Sequence, residues 1–295
     1  MPSWQSKLLN PLLRLQVKRR LLKTRDAAGV RKVFGAAMPA PHGPKYAPDV
    51  IGGVTGEWAK SGGVAAGTLL YLHGGGYVAC SPKTYRSITG AFANRGLDVF
   101  AADYRLAPEN TFPAAVDDGL AAYKGMLAAG IAPGRLAVAG DSAGGGLTLA
   151  TLLAAKAEGL PMPACAIVFS PWTDLAITGE SVRTNLERDP MLAGNLLRDG
   201  AAFYLNGADA KNPLASPIYG DLAGLPPLFI QVGDTEVLLD DATRFAARAE
   251  EARVAVNLKI WEGMPHVWQL FQIFLPEARA AIDDAAGFAK AQFNR

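Results

Sequence analysis

Five consecutive residues, Gly140-Asp141-Ser142-Ala143-Gly144, frame a serine with glycines. They follow the apolar run RLAVAG and precede a long apolar stretch. G-x-S-x-G between a strand and a helix is a nucleophile elbow. A turn that sharp strains the serine backbone, and a Cβ on either flanking position would clash. The gain is a serine Oγ that projects from the carboxyl end of the sheet at a helix N-terminus. The motif alone recurs by chance. Its plain alternative is a glycine-rich helix start capped by Asp141 or Ser142.

A second glycine cluster follows the apolar run TLLYL: His73-Gly74-Gly75-Gly76-Tyr77. Three glycines in a row cost backbone entropy. They make sense where backbone N–H groups must approach a ligand closely. An acyl-transfer nucleophile needs donors aimed at the developing oxyanion. Gly74 and Gly75 N–H, with the N–H of Ala143, are the expected donors. An ordinary glycine-rich turn is the alternative, and it weakens once both glycine motifs occur in one chain.

A serine nucleophile needs a base, and the chain has three histidines. His42 sits in a proline-rich stretch. His73 more readily braces the glycine loop. His266 ends Trp261-Glu262-Gly263-Met264-Pro265-His266, just past the strand-like VNLKIW, so it faces the same side of the sheet as the elbow. It is the expected general base. The acid must lie between Ser142 and His266 in chain order. After LFIQVG come Asp234, Glu236, Asp240 and Asp241. The last two fall inside the next helix and point away. Asp234 comes first but could cap that helix, and Glu236 reaches one methylene further. Reach alone leaves these two equal.

These residues need a scaffold. VIGGV, GEWAK, TLLYL, DVFAA, RLAVAG, CAIVFS, LFIQVG and VNLKIW read as strands, the first two as a hairpin. The later ones are nearly all apolar, as parallel strands covered on both faces must be. Val116, Leu120, Tyr123 and Leu127 keep helical spacing, as do Ile282, Ala286, Ala289 and Phe293. The stretch from Gly144 to Lys156 is apolar almost all round and should be a central, buried helix. Alternating strands and helices predict an α/β fold with a mostly parallel sheet and helices on both sides.

Two regions fall outside that alternation. Residues 1–45 read as a helix followed by a loop, with Leu8, Leu12 and Leu15 on one stripe that Leu9 and Leu13 widen. Lys7, Arg14, Lys18, Arg19, Arg20 and Lys23 are interleaved. Such a helix can lie on anionic lipid, but docking of its leucines on its own domain is the more frequent arrangement and is expected. MPAPHGPKYAP then crosses to the main domain. Residues 178–215 are too long for an ordinary connection and read as an inserted helical cap. The catalytic domain is then 46–177 plus 216–295. Candidate pocket residues are Tyr77, beside the glycine loop, and Met191, Phe203 and Tyr204 of the insertion, with Leu192 and Leu196 as further bulky side chains.

Composition narrows the function classes. Hydrophobic residues are 50% of 295, ample for a core that needs no metal or disulfide staple. Lys and Arg total 29 against 27 Asp and Glu, a net of +2 that gives no reason to expect a nucleic-acid partner. Two cysteines far apart, Cys80 and Cys165, form no disulfide framework. Cys165 reads as a small buried hydrophobe and Cys80 as more exposed. No signal sequence and no run of about 18 apolar residues is evident, so a cytoplasmic location without stable membrane insertion is expected.

Together the motifs resemble the hormone-sensitive-lipase-like branch of the α/β-hydrolases, which includes the bacterial family IV esterases. The likeness runs from about residue 50 to 275: HGGGY (73–77), YRLAPE (104–109), FPAAVDD (112–118), GDSAGG (140–145), SPWTD (170–174) and GMPH (263–266). It implies an eight-stranded sheet beneath a cap made of the N-terminal helices and the insertion. It also implies hydrolysis of short-chain esters without a cofactor or metal, on a small-molecule ester substrate. It carries the nucleophile to Ser142, the base to His266 and the oxyanion donors to Gly74, Gly75 and Ala143. The family's Asp-Pro-Leu-x-Asp-Glu pattern aligns with Glu236-Val237-Leu238-Leu239-Asp240-Asp241, and so favours Glu236 over Asp234. Here Glu replaces the family Asp and the Pro is missing. Tyr104, Arg105, Glu109 and Asp117 read as a structural polar network. The sequence is compatible with a homodimer but does not fix the oligomeric state. A non-catalytic receptor on this fold would lack the histidine, which His266 argues against, and a membrane-surface lipase would use the basic N-terminal helix.

Overall fold

The computed structural model describes residues 2–24, 26–192 and 194–293, without the side chains of 194 and 195. Eight strands form one sheet in the order β1-β2-β4-β3-β5-β6-β7-β8. They are β1 Lys45–Ile51, β2 Val54–Lys60, β3 Thr68–Leu72, β4 Asp98–Ala102, β5 Leu136–Asp141, β6 Cys165–Phe169, β7 Leu228–Gly233 and β8 Val256–Trp261. β1 and β2 pair antiparallel, as do β2 and β4, and every later pairing is parallel. The hairpin turn is Gly52-Gly53, inside VIGGV, so the first strand is KYAPDVI and includes the end of the expected crossing. Pro48 is tolerated there because β1 is an edge strand.

The helices are α1 Trp4–Leu13, α2 Arg19–Leu21, α3 Ala27–Phe34, α4 Arg86–Ala93, α5 Ala114–Ala128, α6 Ser142–Ala157, α7 Ser181–Thr184, α8 Gly194–Leu205, α9 Leu239–Glu251 and α10 Pro276–Phe293. The pleat sends alternate strand residues to opposite faces. Leu70, Leu72 and Val138 pack with α5, α6 and α9, whereas Leu69, Tyr71 and Ala137 pack with α4 and α10. The helix after the elbow is buried from Ala143 to Ala155, which is why its sequence is apolar all round. Each fully buried leucine there contributes about 1.5–3 kcal/mol.

The N-terminal region differs from expectation in two ways. Beyond α1, a π turn (Arg14–Lys18) and α2, it forms a further helix, α3, capped by Asp26. The leucine rows are also reversed: Leu9 and Leu13 are buried, while Leu8, Leu12 and Leu15 face solvent. The insertion is less helical than expected, because only α7 and α8 are helical and turns fill the rest. Its polar side chains bond backbone instead, as Asp189 does with Met191 and Leu192 N–H at 2.8 and 2.9 Å.

Among the described residues no helix is long and apolar enough to cross a membrane. No group of three or more His, Cys, Asp or Glu there could share a metal ion. Both cysteines are free: Cys165 is buried, and Cys80 is half-buried at the cavity wall.

Candidate active site

Ser142 is the hinge between β5 and α6. Its φ of +52° lies in the left-handed region, which a non-glycine residue occupies only when its surroundings force it. Close packing does so here. A Cβ on Gly144 would lie 2.1 Å from the Leu72 carbonyl oxygen, and one on Gly140 would lie 2.3 Å from the Gly144 oxygen. The elbow therefore sits directly against the end of β3, and Ser142 opens a sixteen-residue helix whose first N–H groups have no partner inside it.

Three loops at the carboxyl ends of β5, β7 and β8 converge. Ser142 Oγ lies 2.9 Å from His266 Nε2, and His266 Nδ1 lies 2.7 Å from Glu236 Oε2. The second oxygen of Glu236 accepts from Gly233 N–H at 2.6 Å and from Ser170 Oγ at 2.8 Å. With a carboxylate beside Nδ1, that nitrogen carries the proton and Nε2 is left to accept from the serine. Burial favours neutral imidazole, but the Glu236 hydrogen bond and charge outweigh it and raise the His266 pKa above its ordinary value.

Asp234 has other work. Its Oδ1 accepts from Gly263 N–H at 2.7 Å and its Oδ2 lies 3.3 Å from Arg188, so it braces the loop leading to His266. It is not the cap of α9, which starts only at Leu239. Asp240 and Asp241 lie in α9 as expected. Asp241 is buried, accepts from Thr173 and Asp174 N–H, and is pushed up to about 8 by burial and the Asp174 charge.

The glycine loop requires a correction of one position. Gly74 N–H donates to Asp141 Oδ1 at 3.1 Å, so it is not free to meet an oxyanion. Gly75 and Gly76 line the cavity, both at positive φ, and Gly74 does not. Asp141 was read only as a possible cap of the following helix, but its side chain makes no cap hydrogen bond. It is fully buried and also accepts from Tyr71 and Tyr85 hydroxyls at 2.8 and 2.7 Å. Burial pushes its carboxyl up to about 6 despite these donors.

Of the other histidines, His42 is exposed. His73 is buried, donates Nδ1–H to the Gly74 carbonyl at 2.8 Å and stacks on Tyr104. Burial holds it down at about 4, so it stays neutral. The Tyr104 hydroxyl donates to the His73 carbonyl at 2.6 Å. Glu109 pairs with Arg31, but Arg105 pairs with Asp118, not Asp117.

The cavity above Ser142 is lined by Met191, Leu192, Leu196 and Phe203 of the insertion and by Val30 and Phe34 of α3. Tyr77 and Tyr204 are not on its surface. They stack face to face at 3.8 Å, each almost wholly buried, and support the wall from behind. Two side chains went unnoticed in sequence. Ser170 joins Glu236 to Val267 N–H, and Asn185 of the insertion donates to the Glu236 carbonyl at 2.9 Å. Ser170 opens the quoted SPWTD stretch; Asn185 has no local signal.

Comparison with known proteins identifies the fold and the family. A family model described as the alpha/beta hydrolase fold matches residues 69–270. An acetyl-hydrolase of Streptomyces hygroscopicus is 46% identical over 241 residues, covering 81% of each chain. An esterase of Acinetobacter venetianus is 39% identical over 241 residues, covering 81% of this chain and 80% of the relative. The crystal structure of EstE5 superposes with a TM-score of 0.95 at 43% identity, covering 99% of both chains. That of an esterase from the bacterial hormone-sensitive lipase family superposes with a TM-score of 0.92 at 41% identity, also covering 99% of both. With its fold, its matched span and its relatives in agreement, the chain belongs to the α/β-hydrolase family, in the hormone-sensitive-lipase-like branch, and is a carboxylic ester hydrolase.

Proposed function

We propose that the chain hydrolyses short-chain acyl esters through a covalent acyl-enzyme on Ser142. The observation that carries this reading is the unbroken relay from Ser142 Oγ through His266 to Glu236, at 2.9 and 2.7 Å. His266 Nε2 takes the serine proton as Oγ attacks the ester carbonyl. The tetrahedral oxyanion is held by the N–H groups of Gly75, Gly76 and Ala143, at the positive end of α6. His266 then gives its proton to the departing alkoxide, which leaves as the alcohol. In the second half a water gives its proton to His266 and attacks the acyl carbonyl, and the carboxylic acid departs as Ser142 regains its proton. Glu236 stays ionised, holds the tautomer and stabilises the imidazolium.

In this reading residues 1–45 and 178–215 form the cap over a catalytic domain of 46–177 and 216–295. Direct contacts support that: Arg14 donates to the carbonyls of Glu187 and Arg188 at 2.6 and 2.7 Å, and Lys18 donates to that of Asp189 at 2.8 Å. Both pieces also wall the cavity. The cap closes an apolar site suited to an acyl chain of a few carbons. Two free cysteines suit a reducing cytoplasm.

A series of soluble p-nitrophenyl esters tests the reading. kcat/KM is expected to rise by up to about fourfold per added methylene, from about 0.8 kcal/mol each, and then fall once the chain meets the wall. A rapid burst of one p-nitrophenol per chain is expected where deacylation is slow. Faster hydrolysis of long-chain triglycerides than of short soluble esters would contradict the substrate class.

A further inference from the structure

The outer face of the N-terminal helix carries a row of apolar side chains left in solvent among the described residues. Trp4, Leu8, Leu12 and Leu15 are 64, 60, 47 and 56% exposed. They recur at four, four and three residues along α1 and the π turn, so they form one stripe. Phe274 and Ile273 continue it, with Phe274 edge-on to Trp4 at 6.4 Å. Burying the other leucine row, Leu9 and Leu13, fixes which row faces outward.

Charge identifies what would lie against this stripe. Residues 2–24 contain six Lys and Arg and no Asp or Glu. Arg14 and Lys18 are engaged with backbone carbonyls of the insertion. Lys7, Arg19, Arg20 and Lys23 stay exposed beside the stripe. Arg20 and Lys23 also border an open surface depression with Lys32, Thr24 and Asp26, and the last two line the catalytic cavity as well. We infer that this face is a docking surface for an anionic lipid bilayer, which sets the cavity mouth beside the membrane. The tryptophan and leucines enter the boundary while the flanking cations meet headgroups. A second copy seated symmetrically on the same face would oppose cations to cations.

The experiment is co-sedimentation of the full chain with vesicles of phosphatidylcholine alone or mixed with phosphatidylglycerol, at low and high salt. Adsorption is read without ester turnover, so it stands or falls apart from the catalytic reading. Binding to the mixed vesicles only, reversed by salt, is expected. Three cations each contribute about fivefold near such a surface, so R19Q/R20Q/K23Q should lower partitioning about a hundredfold. L8S/L12S/L15S should lower it by at least about tenfold. Both variants should keep the wild-type Tm and turnover of a soluble ester. No adsorption, equal adsorption to neutral vesicles, or variants that bind like wild type would overturn the proposal. So would light scattering that shows the leucine variant losing a dimer that the wild type forms.

Discussion

The proposed catalytic floor and the proposed cap over it are held by different means. On the floor, Ser142, Glu236 and His266 stand just past the carboxyl ends of the parallel strands β5, β7 and β8, of which β5 and β7 are wholly buried, and each is held by more than one partner. Glu236 alone has its two oxygens bonded to His266, Gly233 and Ser170. The cap has short helices, turns held by side chains, and an apolar row in solvent. Chemistry requires atoms placed to within about 0.5 Å, which the sheet provides. Admission of substrate requires only shape and polarity, which looser elements can supply. Changes on the floor should therefore act on kcat, and changes in the cap on which substrate is used.

The largest expected effect is on the acid. Glu236→Gln should lower kcat by about 10⁴-fold with little change in KM, the loss known for the equivalent amide substitution in a serine protease. A dead but stably folded Asp234→Asn beside a nearly active Glu236→Gln would move the acid to Asp234.

Asp141→Ala comes next. It strips three buried donors of their acceptor, at about 1–3 kcal/mol each if left unsatisfied, and frees the glycine loop. We expect kcat lower by about 10–100-fold and a lower Tm. Unchanged kcat would show that the loop keeps its place without that brace.

The pH profile tests the floor by sign. The proposed reaction needs His266 neutral at Nε2, and its pKa is raised. kcat/KM should therefore climb with pH through an apparent pKa above the ordinary value of about 6.5. The stability from the His266–Glu236 pair runs the other way: it is full below about 6.5 and is lost as pH rises through the raised value. A limb below 6.5 would mean that burial outweighs Glu236.

The cap should give the smallest effects on rate and the clearest on selectivity. Phe203→Ala opens the wall and should shift the optimum toward longer acyl chains by one or more methylenes, about fourfold each, with kcat on the best ester little changed. An unaltered chain-length profile would remove Phe203 from the acyl wall.

The same contrast explains what the sequence could disclose. That Ser142 and His266 would meet, as they do at 2.9 Å, was legible because strand, turn and helix constrain residue types around them, and few histidines compete. Gly74 was read as an oxyanion donor, whereas its N–H is bonded to Asp141. Three identical glycines carry no mark of which N–H a buried Asp141 takes. Tyr77 and Tyr204 were read as pocket residues because spacing cannot reveal that two distant rings stack on each other. The leucine rows of α1 have equal periodicity, so which one docks depends on the partner surface rather than on the helix.

The claim that Ser142 is the nucleophile activated by His266 is tested most directly by labelling with a fluorophosphonate and mapping the modified peptide. One label per chain on Ser142 is expected, absent from Ser142→Ala and strongly slowed in His266→Ala, with both variants folded. A label on any other residue, or undiminished labelling of His266→Ala, would contradict the account.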